Sequence, residues 1–217
     1  MAQRTSEIYD KELNKTIFNL KHQRTFVMIK PDGVMRGLAG DIISRIENRG
    51  LKIVSMKMLI PSENIIRRHY PTLDEKWISR LGGKAKSGLD GTGLDVKATY
   101  GTDDENEIGH VALDGLIKYM QSGPVIAMVV EGVKAIEQVR KMVGSTLPSK
   151  SAPGTIRGDY SVDDPVIANV EGRSLHNLIH ASEIPEEAEA EINLWFASEE
   201  ICDYDLAADE IMYCKHY

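Results

Sequence analysis

The sequence predicts an α/β fold in which four strands alternate with helices. Two apolar runs, "TFVMIK" at 25–30 and "VIAMVV" at 125–130, have the length and the β-branched content of buried strands. Each is followed by a segment whose apolar residues recur at helical spacing. With 217 residues, 42% of them hydrophobic and 27% charged, the chain has the composition of a soluble globular protein with one large domain.

The first strand–helix–strand unit spans residues 25–60. The "PDG" turn ends its first strand, because proline lacks an amide hydrogen and glycine permits the turn. A helix over 38–49 follows, and Gly50 is suited to end it. "LKIVSMKMLI" at 51–60 predicts the second strand, after which Ser62 is the N-cap of a short helix.

The second unit is built around the strand at 125–130. A helix containing "LDGLIKYM" precedes this strand, and a helix over 133–143 follows it. "NLIH" at 177–180 is the candidate fourth strand. The last helix, over 185–196, has glutamates in its first turn, where they suit the helix dipole. Its apolar stripe consists of Ala188, Ile192, Trp195 and Phe196.

Two β-α-β halves suit a split-βαβ, ferredoxin-like sheet. A parallel, doubly wound sheet is the alternative, which spacing alone does not exclude. The segment 71–110 is rich in Gly, Lys and Asp and has weak periodicity, so we predict an irregular insertion or a long loop there. Gly, Pro, Ser and Thr dominate 144–158, which predicts a second loop.

The net charge of −7 makes the chain a poor general binder of nucleic acid, because such binding depends on clustered Lys and Arg. No apolar run approaches the ~20 residues of a membrane span, so neither a membrane nor a specific nucleic acid is an expected partner. The two cysteines, Cys202 and Cys214, form neither a disulfide framework nor a metal-binding spacing. We therefore expect reduced thiols and a cytoplasmic location.

An anionic ligand must be held by a few local cations. Lys30 ends the first strand, directly before a tight turn, where it could neutralise a phosphate. Arg157 lies on the glycine-flanked loop "PGTIRGD", and Arg140 and Thr146 lie just upstream. Two guanidiniums and a hydroxyl could clamp an oxyanion, although a single arginine in such a loop is more often an exposed surface residue.

His180, in "NLIHASE", is one of six histidines. Imidazole serves as an acid, a base, a metal ligand or a nucleophile, and an isolated histidine is more often structural. A metal shared with His176 is disfavoured, because on a strand Leu178 would stand between the two rings.

Taken together, these stretches resemble the nucleoside diphosphate kinase family. The matching blocks occur in the family's order over residues 24–200, and jointly they are highly specific: "RTFVMIKPDGVMRG", "HY", "GLIKYMQSGPVIAMVVEG", "VRKMVGST", "PGTIRGD", "NLIHASE" and "EAEINLWF". The resemblance implies a four-stranded antiparallel sheet covered by helices. It also implies an N-terminal extension over 1–23 and a single domain over 24–217, with insertions at about 73–111 and 160–173.

The resemblance further implies a reaction. The γ-phosphate of a nucleoside triphosphate such as ATP would pass to a nucleoside diphosphate through a phosphohistidine, in a ping-pong cycle that requires Mg²⁺ and maintains nucleoside triphosphate pools. His180 matches the nucleophile, and Ser182 and Glu191 match the groups that orient it. Residues that match the phosphate and ribose contacts are Lys30, Tyr70, Arg140, Thr146, Arg157 and Asn177. Mg²⁺ would be held mainly by the phosphates, without a direct protein ligand, and a hexamer or tetramer is expected.

Three features depart from the family pattern. The usual "HGSD" is "HASE" here, so that Ala181 adds a methyl group and Glu183 replaces an aspartate. The first insertion replaces the segment that carries the family's base-stacking phenylalanine, for which Trp77 and residues 110–113 are candidates by position. The third departure is a shorter insertion, "YSVDDPVIANVEGR", which separates Arg157 from Asn177 and would pack on the oligomer surface or lie over the nucleotide. The extension before residue 24 lies outside the match, and its apolar residues would pack on a neighbour or belong to a disordered arm: Ile8, Phe18 and Leu20.

Two other classes of function are compatible with the pattern. A non-enzymatic relative would bind a nucleotide or a protein partner, although every matched catalytic position keeps a usable residue. An RNA-binding module would share the ferredoxin-like topology, but such modules stack bases on aromatic residues of the central strands. "VIAMVV" contains no aromatic residue and "TFVMIK" contains one.

Overall fold

In the computed structural model, which describes residues 2–212 and the side chains from residue 12 onward, four strands form one sheet. The strands are β1 (Gln23–Ile29), β2 (Lys52–Leu59), β3 (Val125–Gly132) and β4 (Ile179–Ala181). Their order across the sheet is β2-β3-β1-β4, and every neighbouring pair is antiparallel. The split-βαβ, ferredoxin-like prediction is confirmed, and the parallel alternative is excluded.

Helices account for most of the remaining described chain. The predicted helices at 38–49, 133–143 and 185–196 are confirmed, and Ser62 caps its short helix by accepting a hydrogen bond from the amide of Ile65. The helices are α1 (Ala2–Lys21), α2 (Pro31–Met35), α3 (Ala39–Asn48), α4 (Glu63–His69), α5 (Glu75–Ser87), α6 (Val96–Tyr100), α7 (Glu105–Gln121), α8 (Ala135–Val143), α9 (Ile156–Tyr160), α10 (Pro165–Val170), α11 (Pro185–Trp195) and α12 (Asp209–Met212).

The sheet is covered on both faces. Val27 and Ile29 of β1 belong to a core with residues of α3 and α8, whereas Phe26 and Met28 belong to a core with residues of α4, α7 and α11. Because alternate side chains of a strand point to opposite faces, β1 is buried on both sides. It is therefore a rigid central strand, and both the loop that follows it and its neighbour β4 are fixed in position by it.

The prediction of an irregular segment over 71–110 was wrong. This segment contains α5, α6 and the start of α7, and α5 and α7 pack together as a helical hairpin. A Cβ atom on Gly82 would overlap the carbonyl oxygen of Glu105, and one on Gly109 would overlap that of Ile78. The glycines therefore permit close helix packing, and three aspartates that suggested turns are helix N-caps: Asp74, Asp95 and Asp104.

Other segments also differ from expectation. The N-terminal extension forms α1, whose side chains from residue 12 to residue 20 are exposed, while the side chain of Ile8 lies outside the described residues. The fourth strand starts at Ile179 rather than Asn177, and the predicted insertion at 160–173 contains α10. Among the described helices none is long and apolar enough to cross a membrane.

We predict that Gly82→Ala destabilises the α5–α7 hairpin by about 1–3 kcal/mol, because the added methyl group must displace the backbone of α7. Gly40→Ala is the matched control: this helical glycine has no heavy atom within 4 Å of the added Cβ. Alanine there should stabilise the protein by about 0.5–1 kcal/mol. Urea unfolding followed by circular dichroism measures both changes, and equal effects of the two variants would contradict the close packing.

Candidate active site

A hydrogen-bonded triad joins β4 to α11. The Nε2 atom of His180 lies 2.7 Å from Oε1 of Glu191, and the Oγ atom of Ser182 donates to Oε2 of the same carboxylate at 2.6 Å. The register of β4 against β1 places His180 opposite Met28, and the amide of Phe26 donates to Oγ of Ser182. A carboxylate at Nε2 requires the ring proton there, so Nδ1 keeps its lone pair.

The surroundings of His180 favour the neutral imidazole. Burial, and then the positive charges of Lys30, Arg157 and Arg140, together lower its pKa to about 3. Glu191 is only 5% exposed. Burial raises the pKa of Glu191, whereas His69 and the hydrogen bond from Ser182 oppose that rise. Glu191 lies outside the apolar stripe of α11, so the helix pattern alone does not predict that it is buried. Its hydrogen bonds with His180 and Ser182 explain the burial.

His69, at the end of α4, is a site residue that the sequence analysis missed. Its Nδ1 atom lies 3.3 Å from Oε1 of Glu191 and accepts a hydrogen bond from the indole of Trp195, also at 3.3 Å. Its ring meets that of His180 edge-on, with centroids 4.6 Å apart. Burial and the neighbouring His180 lower the pKa of His69 to about 3. The "HY" block contained this signal, but only Tyr70 was assigned a role.

Tyr70 is the next residue after His69, and its ring packs against the His69 ring with centroids 4.7 Å apart. Burial, together with the charge of Glu191, raises the pKa of its hydroxyl. The protonated hydroxyl lies 4.0 Å from the sulfur of Met120, at the end of α7. Tyr70 is therefore next to the triad but not hydrogen-bonded to it.

Lys30 and Asn177 form a second, adjacent group. The Nζ atom of Lys30 donates to Oδ1 of Asn177 at 2.7 Å, and Nδ2 of Asn177 donates to the backbone oxygen of Thr146 at 3.0 Å. The side chain of Lys30 is buried, and burial together with the charge of Arg157 lowers its pKa to about 7, whereas Asp32 acts to raise it. The predicted residue Thr146 is thus joined to the group through its backbone.

Arg157 is held by backbone carbonyl groups. It donates from Nε to Asn177, from Nη1 to Gly144 and Ser145, and from Nη2 to Ile179, at 2.6–3.2 Å. Burial, and then the charge of Arg140, lowers its pKa to about 10. The guanidinium is therefore charged and fixed.

Arg140 is more exposed than Arg157. Its Nη2 atom lies 3.6 Å from Oε1 of Glu183, the residue that replaces the family's aspartate. Arg140 and Arg157 lie close enough for each charge to act on the other and on His180. All nine residues predicted for the site therefore lie in one neighbourhood.

One group of side chains among the described residues has the spacing to hold a metal ion: the ligand atoms of His69, His180 and Glu191 all lie within 4.8 Å of one another. Two nitrogens and one oxygen do not suit Mg²⁺, which prefers oxygen ligands and keeps several waters. His176 takes no part in this group: it precedes β4 and stacks on Tyr119 with ring centroids 4.7 Å apart.

The comparison with protein families agrees with this geometry. The sequence profile described as nucleoside diphosphate kinase matches residues 23–80 and 95–201. The chain belongs to the nucleoside diphosphate kinase family. Residues 81–94, at the end of α5 and in the turn after it, and helix α1 lie outside the matched ranges.

Relatives of the family match over most of the chain. The nucleoside diphosphate kinase of Pyrobaculum aerophilum is 49% identical over 181 residues, which cover 83% of this chain and 98% of that protein. A crystal structure of an NDP kinase from the same organism superposes with a TM-score of 0.80 at 47% identity, covering 84% of this chain and all of that one. A structure of the nucleoside-diphosphate kinase from Borrelia burgdorferi, described as a transition state mimic with bound vanadate and ADP, superposes with a TM-score of 0.72 at 36% identity. The match covers 89% of this chain and 98% of that one.

The base-stacking candidates of this kinase-family chain lie on the α5–α7 hairpin. Trp77 is partly buried and packs against the core that lies under α4, α7 and α11. Val111 and His110 are exposed on α7. Among the described residues, no hydrogen bond, ion pair or ring contact joins these candidates to the triad, so the assignment of the base-stacking residue stays a prediction.

We predict that the two buried histidines of this nucleoside diphosphate kinase site make stability fall in acid. Folding lowers the pKa of His69 and of His180 from 6.5 to about 3, so between these values the unfolded chain binds more protons than the folded one. The free energy of unfolding should therefore decrease as the pH is lowered below 6.5. Each histidine contributes a slope of up to about 1.4 kcal/mol per pH unit.

The variant His69→Gln isolates one of these contributions. Its free energy of unfolding, measured by urea titration, should depend less steeply on pH between about 6.5 and 5 than that of the wild type. The difference at neutral pH, where both rings are neutral, serves as the reference. Parallel curves for the two proteins would contradict the buried neutral state of His69.

Proposed function

We propose that His180 carries the phosphoryl group in the reaction of this chain, which, as a member of its family, is a nucleoside diphosphate kinase and transfers phosphate between nucleotides. The observation that supports this most strongly is the hydrogen bond from Nε2 of His180 to Glu191, at 2.7 Å. It leaves Nδ1 unprotonated in a region that three cations make positive. Such a nitrogen is a nucleophile for a phosphate group.

In the first half-reaction, the lone pair of Nδ1 attacks the γ-phosphorus of a nucleoside triphosphate. The bond from that phosphorus to the β,γ-bridging oxygen breaks, and the nucleoside diphosphate leaves with the electron pair. The positive charge that develops on the ring is stabilised through its Nε2–H by Glu191, whose second oxygen is held by Ser182. In the second half, a β-phosphate oxygen of another nucleoside diphosphate attacks the phosphohistidine and restores neutral His180.

The cations supply most of the remaining catalysis, because phosphoryl transfer depends on positioning and charge neutralisation. We assign Lys30 and Arg157 to the transferred phosphate, because both are buried next to Asn177. Arg140 and Thr146, which are more exposed, are assigned to the leaving diphosphate. Asn177 and Tyr70 would complete the contacts to ribose and phosphate.

Mg²⁺ is proposed to arrive with the nucleotide. Cations surround the phosphate position, and Glu183 is an exposed carboxylate next to Arg140 that could reach the ion through water. This donor set fits an ion held by phosphates and water. When bound, Mg²⁺ would neutralise part of the phosphate charge.

We propose a homo-oligomer on the basis of β2, the edge strand of the sheet. Its end carries alternate exposed apolar side chains, while the segment after α11 covers its start through the Cys202 amide and the Tyr204 hydroxyl. Uncovered apolar edge strands pair readily with another chain. The exposed side chains are Met56 and Met58 of β2 and Ile60 directly after it.

The proposed setting is the cytoplasm, where the reaction would maintain nucleoside triphosphate pools. Cys202 is an exposed free thiol, as expected for a reducing compartment, and Cys214 lies outside the described residues. We also retain the domain organisation proposed from the sequence, with 24–217 as one domain after the extension.

We predict that incubation with γ-labelled ATP and no acceptor labels the protein, because Nδ1 of His180 accepts the phosphoryl group. The label should be stable in base and labile in acid, and His180→Gln should abolish it. His22→Gln, which changes a half-exposed histidine after α1 that contacts Glu131, is the matched control and should retain full labelling. A wild type that takes up no such label would refute this role of His180 and favour the non-enzymatic alternative.

We predict that Met58→Glu weakens self-association, because a charge would be buried where β2 meets a second copy. Light scattering coupled to gel filtration should show a smaller mass than for the wild type. Leu94→Glu changes an exposed leucine after α5 and should leave the mass unchanged. An unchanged mass in both variants would rule out this edge as the interface.

A further inference from the structure

Leu178, two residues before His180, has an unusual backbone. Its φ angle is +67°, in the left-handed region that residues with a Cβ atom seldom occupy. The amide of Ile179 donates to the carbonyl oxygen of Asn177 at 2.8 Å, which closes a tight turn around Leu178. A turn of this kind persists only when its surroundings hold it.

The loop after β1 holds both polar groups of this residue. The amide of Leu178 donates to Oδ2 of Asp32 at 3.1 Å, and its carbonyl oxygen accepts from the amide of Lys30 at 2.8 Å. Gly33 lies against the same carbonyl: a Cβ atom there would be 2.9 Å from the oxygen. The "KPDG" sequence is therefore a cradle for the turn before the nucleophile.

The second oxygen of Asp32 is occupied by Tyr119. The hydroxyl of Tyr119, in the last turn of α7, donates to Oδ1 at 2.5 Å. Both side chains are buried. Burial and the charge of Asp32 raise the pKa of the Tyr119 hydroxyl, which therefore keeps its proton and remains a donor.

The turn connects directly to the residues assigned to phosphate. Asn177, on one side of Leu178, accepts from Lys30 through its side chain and from Arg157 through its backbone. His180 follows on the other side. Because Asp32 also raises the pKa of Lys30 against burial and the charge of Arg157, its carboxylate acts on the site in two ways, by shape and by charge.

We propose that Asp32 and Tyr119 are positioning residues for phosphoryl transfer: Tyr119 orients the Asp32 carboxylate, which holds the Leu178 turn and thereby aims Asn177 and His180. This inference rests on the proposed role of His180. Asp32 bonds to Tyr119 and Leu178 rather than to His180, so the pair acts through the turn and through Lys30. An Asp–Tyr pair that served only stability would alter folding without altering the chemistry of Lys30 and His180.

The test uses Tyr119→Phe and Asp32→Asn in the full chain. Tyr119→Phe keeps the ring stacked on His176 and removes one hydroxyl. We expect kcat to fall roughly tenfold with KM changed less than about twofold, because misaligned groups lose transition-state rather than ground-state interactions. The matched controls, expected to keep wild-type kinetics, are Tyr100→Phe, which removes a hydroxyl bonded to Ala85, and Asp104→Asn, which keeps the cap of α7.

A pH profile separates positioning from a merely structural role. The charged and titratable groups that face Lys30 are Asp32, Arg157, His69, His180 and the Tyr119 ring. In the wild type kcat/KM should decline as the pH rises through about 7, where free Lys30 loses its proton. Asp32→Asn should move that decline to lower pH, since the charge that supports the lysine is gone, whereas Tyr119→Phe should leave it in place.

The outcomes are distinct. If Tyr119→Phe has the kinetics of Tyr100→Phe, or if Asp32→Asn folds and leaves the alkaline decline unmoved, the inference is overturned. If Asp32→Asn fails to fold, as judged by circular dichroism, the kcat of Tyr119→Phe decides. Labelling of the wild type by γ-labelled ATP is measured in parallel: its absence would refute the proposed function, whereas labelling with unaffected variants would refute only the positioning role.

Discussion

The hydrogen bond between Glu191 and Nε2 of His180 is the constraint on which the rest of the site depends. A neutral imidazole carries its proton on one of two nitrogens. When the proton is fixed on Nε2, the lone pair of Nδ1 is free to react. A buried carboxylate is costly unless it is fully hydrogen-bonded. Here Ser182 donates to its second oxygen, and the Nε2–H group of His180 donates to the first. The pairing of β4 with β1, and the packing of α11 on β1, bring these groups together.

Positive charge is concentrated in this site although the chain is acidic overall. Lys30 and Arg157 are both buried, and burial lowers the pKa of each, so the ligand-free site holds cations that are incompletely compensated. Carbonyl dipoles hold the guanidinium of Arg157, and Asn177 holds the ammonium of Lys30. A phosphate that enters would supply the missing negative charge. Donors fixed in advance need no reorganisation during the reaction, which is the usual origin of electrostatic catalysis.

Local patterns predicted much of this structure, and their limits have physical reasons. The apolar runs of β1 and β3 and the cap at Ser62 are short-range signals, and each was confirmed. The hairpin of α5 and α7 was missed because glycine is common both in turns and at close contacts between helices, such as that of Gly82, and the sequence alone does not distinguish the two. His69 was missed for a related reason: its partners in the site are far away in sequence, and only the fold brings them within 3.3 Å.

The α5–α7 hairpin departs from the family sequence at one end while its other end contacts the candidate active site. Residues 81–94, which lie outside the family match, form the end of α5 and the turn after it. They precede the start of α7 in the chain, whereas the residues near the site lie in the last turn of α7. That last turn carries Met120, which contacts Tyr70, and Tyr119, which contacts Asp32. Length added at one end of a helix leaves the other end in place when that end is fixed by its own contacts. The contacts of the last turn therefore let the hairpin diverge while the geometry around His180 is kept.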